Sequence, residues 1–234
     1  MTLRIAHLTD IHMDEPFPKQ RGVDAQANWE KVLADVKSRQ IEKVIFGGDI
    51  GARSSLNYFF NSLKDFDLSI SPGNHDLDLE GVPHLENPEG KDGYYHFYDI
   101  DHTRIICMDS STGQVSDAQK EWLKESLNTS LQIVLAVHHP LLAVPSYIDN
   151  RHALKDRESI QQILYETGKE VTVICGHYHL EDERSTGNIH QMVTPAASYL
   201  IEKSEQLKFR DGIFGYRILE ISPQKVESNV IYLK

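Results

Sequence analysis

Short apolar runs alternate with segments of helical period through the first third of the chain. Residues 3–8, 43–46 and 68–70 have the length and apolar composition of buried strands. Between the first two runs, residues 28–36 place their apolar side chains on one helical face, and residues 56–63 do the same between the second and third. This order of strand, helix, strand, helix and strand predicts a parallel sheet covered by helices.

Further strands and helices follow in the rest of the chain. Residues 93–98 and 103–108 predict a hairpin with its turn at 99–102, and Ser116 is a suitable N-cap for a helix over 116–123. Strands are also predicted at 131–137, 171–175, 190–193, 214–221 and 226–232, and a helix at 156–167. The alternation of strands and helices favours an α/β fold, and the absence of internal repeats, low-complexity tracts and long linkers predicts a single domain over residues 1–234.

Composition and charge narrow the possible functions. Residues 1–234 are 40% hydrophobic and 25% charged, which fits one ordinary globular domain. The formal net charge of −11 argues against a protein that grips long nucleic acid through its phosphates. We expect a cytoplasmic chain without a membrane span, since no signal-peptide core is evident and no apolar stretch approaches roughly 18–20 residues. Cys107 and Cys175 lie in apolar runs and are expected to be buried.

Six polar clusters accompany the apolar runs and contain six of the twelve histidines. They are Asp10-Ile11-His12, Gly48-Asp49, Gly73-Asn74-His75-Asp76, Asp109-Ser110, His138-His139 and Gly176-His177-Tyr178-His179. Most stand at or just past the carboxyl end of a predicted strand, the edge at which α/β sheets bind ligands. Asp10 and His12 are two residues apart, so an extended segment would direct both to one face, and His177 and His179 have the same spacing.

Carboxylate oxygens and imidazole nitrogens together suit divalent Mn, Fe or Zn, and Mg tolerates them as well. Two such ions about 3.5–4 Å apart can clamp a phosphoryl group and generate a hydroxide nucleophile near neutral pH. Any one cluster alone is equally explained by turn capping through Asp or Asn and by incidental loop histidines. That explanation does not account for all of the clusters in this order.

The ordered set from Asp10 to His179 resembles the calcineurin-like metallophosphoesterase superfamily. The resemblance implies a four-layer α/β/β/α sandwich with a dimetal site at the carboxyl edge of its strands. Matched by motif, the ligands of the first ion are Asp10, His12, Asp49 and His179. The ligands of the second are Asn74, His138 and His177, with Asp49 bridging both ions. His75 matches the histidine that is not a ligand and that protonates the leaving oxygen or stabilises charge on the phosphoryl group.

A narrower resemblance covers residues 107–195. The segments that carry it are Met108-Asp-Ser-Ser-Thr-Gly, Ser116-Asp-Ala-Gln-Lys-Glu-Trp-Leu, His138-His-Pro and Thr194-Pro-Ala. They are similar to the class III cyclic-nucleotide phosphodiesterases and their glycerophosphodiesterase relatives. The resemblance implies a small phosphodiester substrate, hydrolysed by in-line attack of a metal-bridging hydroxide, and a family-like homodimer. Asn74, His75 and Arg53 would stabilise the phosphoryl oxygens of the substrate.

Two alternatives remain open. Arg53 stands where related protein phosphatases carry an arginine that binds substrate phosphate, so the chain could be a phosphomonoesterase on the same two ions. Arg53 is equally consistent with a solvated surface residue. The chain could also be a metal-binding protein that has lost activity.

One position departs from the family pattern. Family members commonly carry an Asp three residues after the bridging Asp, where it orients the catalytic histidine, and this chain has Ala52 there. We expect a backbone carbonyl or Asp109 to orient His75 instead; otherwise His75 is a weaker acid. His75 could also be a buried, hydrogen-bonded histidine.

Other side chains receive supporting or structural roles. His139, Asp109 and Asp76 are expected to lie behind the ligands and support them. The segments 84–92 and 142–155 are expected to shape the substrate pocket. A nucleobase could stack on Tyr147 or Tyr178. The histidines read as surface or packing residues are His84, His96, His102, His152 and His190.

Overall fold

The predicted strands and helices are present, together with short elements that were not predicted, in a computed structural model that describes residues 2–76 and 92–234. Within these residues the strands are β1 (Leu3–Leu8), β2 (Lys43–Phe46), β3 (Asp67–Ile70), β4 (His96–Ile100), β5 (Thr103–Cys107), β6 (Gln132–Ala136), β7 (Val171–Cys175), β8 (Asp182–Thr186), β9 (Ile189–Val193), β10 (Leu200–Ile201), β11 (Phe209–Arg210), β12 (Phe214–Ser222) and β13 (Lys225–Leu233). The helices are α1 (Pro16–Gln20), α2 (Ala25–Ser38), α3 (Leu56–Leu63), α4 (Asp117–Ser126), α5 (Asp149–His152) and α6 (Arg157–Glu166). His84 and most of the segment 84–92 lie outside the described residues.

The strands form two large sheets and one small ribbon. The first sheet has the order β13-β12-β1-β2-β3, and the second has the order β4-β5-β6-β7-β9-β8. Strands β1, β2 and β3 are parallel to one another, as are β5, β6, β7 and β9. Among the described strands, β10 and β11 pair with each other and with no other strand. Each large sheet therefore has a parallel centre whose strands end at one edge.

Alternation along the strands divides the core into three layers. On β2, Val44 and Phe46 pack against the helices, while Ile45 between them faces the other sheet. The layer between the sheets also contains Ile5 of β1 and Val134 of β6. Outside it, α2 and α3 cover the first sheet, and α4 and α6 cover the second. The result is the predicted α/β/β/α sandwich.

The apolar faces of α2 and α3 are buried as the helical period predicts. The residues concerned are Trp29, Val32, Leu33, Val36, Leu56, Phe59, Phe60 and Leu63. Cys107 and Cys175 are also buried, as predicted, and burial raises the pKa of the Cys107 thiol to about 12. No helix in residues 2–76 or 92–234 is long and apolar enough to cross a membrane.

The predicted hairpin is correct in pairing but begins later than expected. β4 starts at His96, whereas residues 93–98 were predicted to be extended from Gly93. The backbone N–H of Tyr94 donates to the carboxylate of Asp109 at 2.8 Å, so it is engaged by a side chain and takes no part in the strand ladder.

Candidate metal centre

The predicted ligands stand on turns that directly follow the parallel strands. Asp10 and His12 follow β1, Asp49 follows β2, and His177 and His179 follow β7. All five have a positive φ, between 51° and 69°, so the extended backbone predicted for the two Asp/His-x-His pairs is wrong. Such conformations cost about 1–3 kcal/mol each and concentrate at functional sites, where the surrounding structure enforces them.

Glycines let these turns approach one another closely. A Cβ atom on Gly73 would lie 2.2 Å from Asp49 Oδ1, and one on Gly48 would lie 2.4 Å from the backbone nitrogen of Gly73. Gly48 also has a φ of +96°, which side-chain-bearing residues rarely adopt. The turns after β2 and β3 are therefore in contact because both positions lack a side chain.

The first group of predicted ligands converges on a single point. Nε2 of His12 lies 2.9 Å from Nε2 of His179, and Nε2 of His179 lies 3.4 Å from Asp10 Oδ1. Asp49 Oδ2 is 3.5 Å from the same nitrogen of His12. Three of the four side chains are also close enough to one another to hold one ion: Asp10, His12 and His179.

The second group shares Asp49 with the first. Nε2 of His138 lies 3.2 Å from Nδ1 of His177 and 3.3 Å from Asp49 Oδ2. One carboxylate oxygen therefore faces both groups, which is the position required of a bridging ligand. Asn74 lies in the same cleft, and its buried Oδ1 has no hydrogen-bond partner among the described residues.

Three of the histidines are fixed by backbone carbonyls on the side away from the centre. The pairs are His138 Nδ1 with Gly47 O (2.6 Å), His177 Nε2 with His152 O (2.8 Å) and His179 Nδ1 with Tyr199 O (3.0 Å). A carbonyl oxygen only accepts, so each of these ring nitrogens carries a proton, and the other nitrogen faces the centre, where a neutral ring can offer its lone pair to a cation. This outer hydrogen bond is the usual way in which a metal-binding histidine is oriented.

These residues fit divalent cations. Imidazole nitrogens approach each other to 2.9 Å and 3.2 Å beside two carboxylates, an arrangement in which ring protons or a bound cation must separate the nitrogens. Burial raises the pKa of Asp10, but the His179 imidazole outweighs it and holds the pKa below its usual value. In the same way His138 overcomes the effect of burial on Asp49 and lowers its pKa. Both carboxylates are therefore ionised and available to a metal.

His75 lies at the edge of the centre and faces solvent. Its side chain is 44% exposed, so the alternative interpretation as a buried structural histidine is wrong. Its backbone N–H donates to Asp49 Oδ1 at 2.9 Å, and its Nδ1 lies 2.9 Å from Oε1 of Glu15. The hydrogen bond with Glu15 raises the pKa of His75 to about 9.

Glu15 is the residue of the site that the sequence interpretation missed. The acceptor for His75 was expected to be a backbone carbonyl or Asp109, and the structure contradicts both expectations. The carboxylate of Asp109 instead accepts the backbone N–H groups of Tyr94 and Ser111. Only the position of Glu15, three residues after His12, could have suggested its role.

The other two residues predicted to support the ligands, Asp76 and His139, lie beside Asp49 and His177. The carboxylate of Asp76 accepts the backbone N–H groups of Asp49, Ile50 and Gly73 at 2.6–2.9 Å, and so joins the two turns. Burial, followed by the Asp49 charge, raises the pKa of Asp76 to about 6. The His139 ring centroid is 4.1 Å from that of His177, and its Nδ1 is 2.9 Å from the Ser110 hydroxyl.

A cleft of about 320 Å³ opens above the predicted ligands. One side is formed by the side chains that we call the aromatic wall: Phe17, Tyr199 and Phe209. Their ring centroids are 5.5–5.9 Å apart. Of the three large apolar side chains that are most exposed among the described residues, two line this cleft, Phe17 and Leu207.

Several peripheral predictions are revised by the cleft. Tyr147 lines it, whereas Tyr178 is fully buried with its hydroxyl 2.7 Å from Asp149, so Tyr178 is not available for stacking. His152 is exposed, as predicted, and it also lines the cleft, where its carbonyl oxygen orients His177. Arg53 is exposed and lines a second cavity of about 200 Å³ next to His75.

Comparison with known proteins agrees with this arrangement. The family model described as "Calcineurin-like phosphoesterase" matches residues 3–181. A "Probable cyclic nucleotide phosphodiesterase" from Fibrobacter succinogenes is 26% identical over 209 residues, which are 86% of this chain and 82% of that protein. A 3′,5′-cyclic adenosine monophosphate phosphodiesterase from Vibrio vulnificus is 26% identical over 219 residues, which cover 83% of this chain and 76% of that protein. A dimetal phosphatase from Danio rerio has the same fold, with a TM-score of 0.67, 12% identity and 98% of each chain covered.

Proposed function

The chain belongs to the calcineurin-like phosphoesterase family, and we propose that it hydrolyses small phosphodiesters of the cyclic-nucleotide type at a dinuclear metal centre. The observation that carries this proposal is the position of Asp49 Oδ2, which lies 3.5 Å from His12 of the first group and 3.3 Å from His138 of the second. A bridging carboxylate below an open cleft is what hydrolysis between two ions requires.

Each part of the centre has a defined task in this proposal. The first ion would be held by Asp10, His12, Asp49 and His179, and the second by Asp49, Asn74, His138 and His177. When bound, the two ions supply the nucleophile from water and neutralise charge on the phosphoryl group. The carbonyl-anchored imidazoles keep their geometry without rearrangement, which limits the reorganisation needed during the reaction.

His75 would assist departure of the leaving group. Its Nδ1 is engaged by Glu15, so Nε2 is the nitrogen that remains for the substrate. A proton on Nε2 can pass to the leaving oxygen as the phosphorus–oxygen bond breaks, which general acids commonly accelerate by about 10²–10⁴-fold.

The charge and shape of the cleft favour a diester that carries an aromatic group. None of the described residues lining the cleft is Lys or Arg, so the metal ions and the protonated His75 would be the sources of positive charge there. A singly charged diester needs less compensation than a doubly charged monoester. In the aromatic wall, Phe17 is exposed and Phe209 is half-buried with Arg21 against its ring, and a nucleobase could stack on these two rings, an interaction worth about 1–3 kcal/mol.

A comparison of ester classes tests this proposal. With Mn²⁺ supplied, we expect kcat/KM for bis(p-nitrophenyl) phosphate to exceed that for p-nitrophenyl phosphate by about tenfold or more, equivalent to about 1.4 kcal/mol. We also expect cyclic nucleotides to be hydrolysed. A preference for the monoester would contradict the diesterase assignment and favour a phosphomonoesterase.

The aromatic wall supplies a second arm of the same experiment. Phe209→Ala should raise KM for cyclic AMP about tenfold and leave that for glycerophosphocholine, which has no ring, nearly unchanged. Tyr232→Ala is the matched control, because Tyr232 is 43% exposed and does not line the cleft. Equal effects of Phe209→Ala on both diesters would exclude stacking on this wall.

A further inference from the structure

We propose that Glu15 is a positioning residue that orients His75 and His12 with one carboxylate. Oε1 lies 2.9 Å from Nδ1 of His75, and Oε2 lies 3.1 Å from Nδ1 of His12. Each carboxylate oxygen thus accepts from a different ring. The inference rests on the proposed function, because His12 is there a metal ligand and His75 the group that protonates the leaving oxygen.

The two hydrogen bonds decide which ring nitrogens face the reaction. A carboxylate accepts, so both Nδ1 atoms are donors and both Nε2 atoms point away from Glu15. For His12, Nε2 is the atom that lies 3.5 Å from Asp49 Oδ2. For His75, Nε2 is left for the substrate. The two rings stand at 88° with centroids 4.7 Å apart, so one carboxylate fixes the ligand and the acid relative to each other.

The chain around Glu15 holds its carboxylate in place. The backbone N–H of Glu15 donates to the carbonyl of His12 at 3.3 Å, which turns the side chain back over the His12 ring. Pro16 follows and begins α1, and a proline keeps the preceding residue extended, as the φ of −74° and ψ of 148° of Glu15 show. The Glu15 side chain is 14% exposed, so this is not a solvated surface ion pair.

The neighbouring cavity contains both Glu15 and position 52, so a carboxylate at either place could orient His75. A substitution at residue 52 can therefore test whether the orientation of His75 is restored when Glu15 is removed. The cavity of about 200 Å³ is lined by Glu15, Ala52 and His75 among others. Ala52 is the position at which family members commonly carry the orienting Asp. A carboxylate introduced at residue 52 would enter this cavity on the same side as His75.

The kinetic test compares leaving groups. Glu15→Ala should lower kcat for cyclic AMP, whose alkoxide needs a proton, by about 10²-fold, but lower kcat for bis(p-nitrophenyl) phosphate by less than about tenfold. Glu15→Ala combined with His75→Ala should lose clearly less than the two single losses combined, because only the effect of Glu15 on His12 remains once His75 is gone. Adding Ala52→Asp to Glu15→Ala should restore part of the cyclic AMP rate. Asp14→Asn is the matched control, because the adjacent Asp14 carboxylate binds the exposed Lys19 instead.

A second readout does not depend on activity. In the metal-free protein, ¹⁵N-edited NMR should detect two protected imidazole Nδ1–H protons that disappear in Glu15→Ala, one of which also disappears in His75→Ala.

If the wild type hydrolyses no diester while these resonances are present, the proposed function fails but the Glu15 contacts stand. Equal losses on both substrates, additive losses with His75→Ala, or absent resonances would overturn the inference. His12, Glu15 and His75 are close enough to one another to hold a metal ion. An ion bound there would also overturn the inference, because Glu15 would then be a metal ligand.

Discussion

Asp49→Asn is expected to abolish binding of both metal ions and to lower kcat/KM by at least about 10³-fold. The substitution keeps the shape of the side chain and an oxygen that can accept the N–H of His75. If the amide oxygen takes the place of Oδ1 and accepts from His75, the amide NH₂ takes the place of Oδ2. The NH₂ group would then face Nε2 of His12 and of His138, at the position proposed for the cations. A metal ion supplies several kcal/mol of transition-state stabilisation, and each 1.4 kcal/mol is about tenfold in rate.

Metal content by mass spectrometry and steady-state kinetics check this expectation together. Asp182→Asn serves as the control, because Asp182 is also a buried carboxylate but pairs with Arg184 and Lys203. It should keep two ions per chain even if it lowers stability. An Asp49→Asn protein that retains both ions, or keeps activity without them, would refute the bridging role.

His75→Ala should have the second-largest effect, and it should depend on the substrate. We expect kcat for cyclic AMP to fall by about 10²–10⁴-fold, because the leaving alkoxide then departs without a proton. p-Nitrophenolate is stable as an anion, so hydrolysis of bis(p-nitrophenyl) phosphate should slow far less. His75 is not one of the proposed ligands, and the variant should still bind two ions.

His102→Ala is the control for this second expectation, since His102 is exposed on the turn between β4 and β5. It should behave as the wild type on both diesters. If His75→Ala instead lost metal ions, or slowed both substrates to the same extent, His75 would belong to the metal centre or to phosphoryl binding rather than to proton transfer.

The sequence predicts the large-scale arrangement because two simple physical rules act together. Apolar runs such as residues 43–46 must be buried, and alternation assigns Val44 and Ile45 to opposite faces of the sheet. Within each sheet the parallel strands end at one edge. The packing of the two sheets places these edges side by side, so that Asp49 after β2 meets His138 after β6. The polar residues that follow the strands therefore indicate the position of the candidate site even without a structure.

The elements that escaped prediction lack an apolar pattern of their own. β8 has the sequence Asp-Glu-Arg-Ser-Thr and forms the edge of the second sheet, where only one neighbouring strand pairs with it. β10 and β11 have two residues each, too few for alternation to be visible. α1 begins with Pro-Phe-Pro, which also fits a loop, and its first proline is tolerated because the first turn needs no N–H donor.

The contact of Glu15 with His75 could not be predicted for a different reason. It depends on the turn between β1 and α1, where Asp10, His12 and Asp14 all have a positive φ. Non-glycine residues adopt this backbone rarely, and only the surrounding contacts decide that they do so here. The direction of the Glu15 side chain follows from that turn and has no counterpart in the periodicity of the sequence.

The position of bound metal is the measurement that tests the account most directly. Crystals grown with Mn²⁺ and measured at its absorption edge should show two anomalous peaks about 3.5–4 Å apart, one on either side of Asp49 Oδ2. One peak should be coordinated by His12 and His179, and the other by His138 and His177. A single peak, or ions bound elsewhere with Asp49 left uncoordinated, would contradict the two-metal centre on which the proposed function depends.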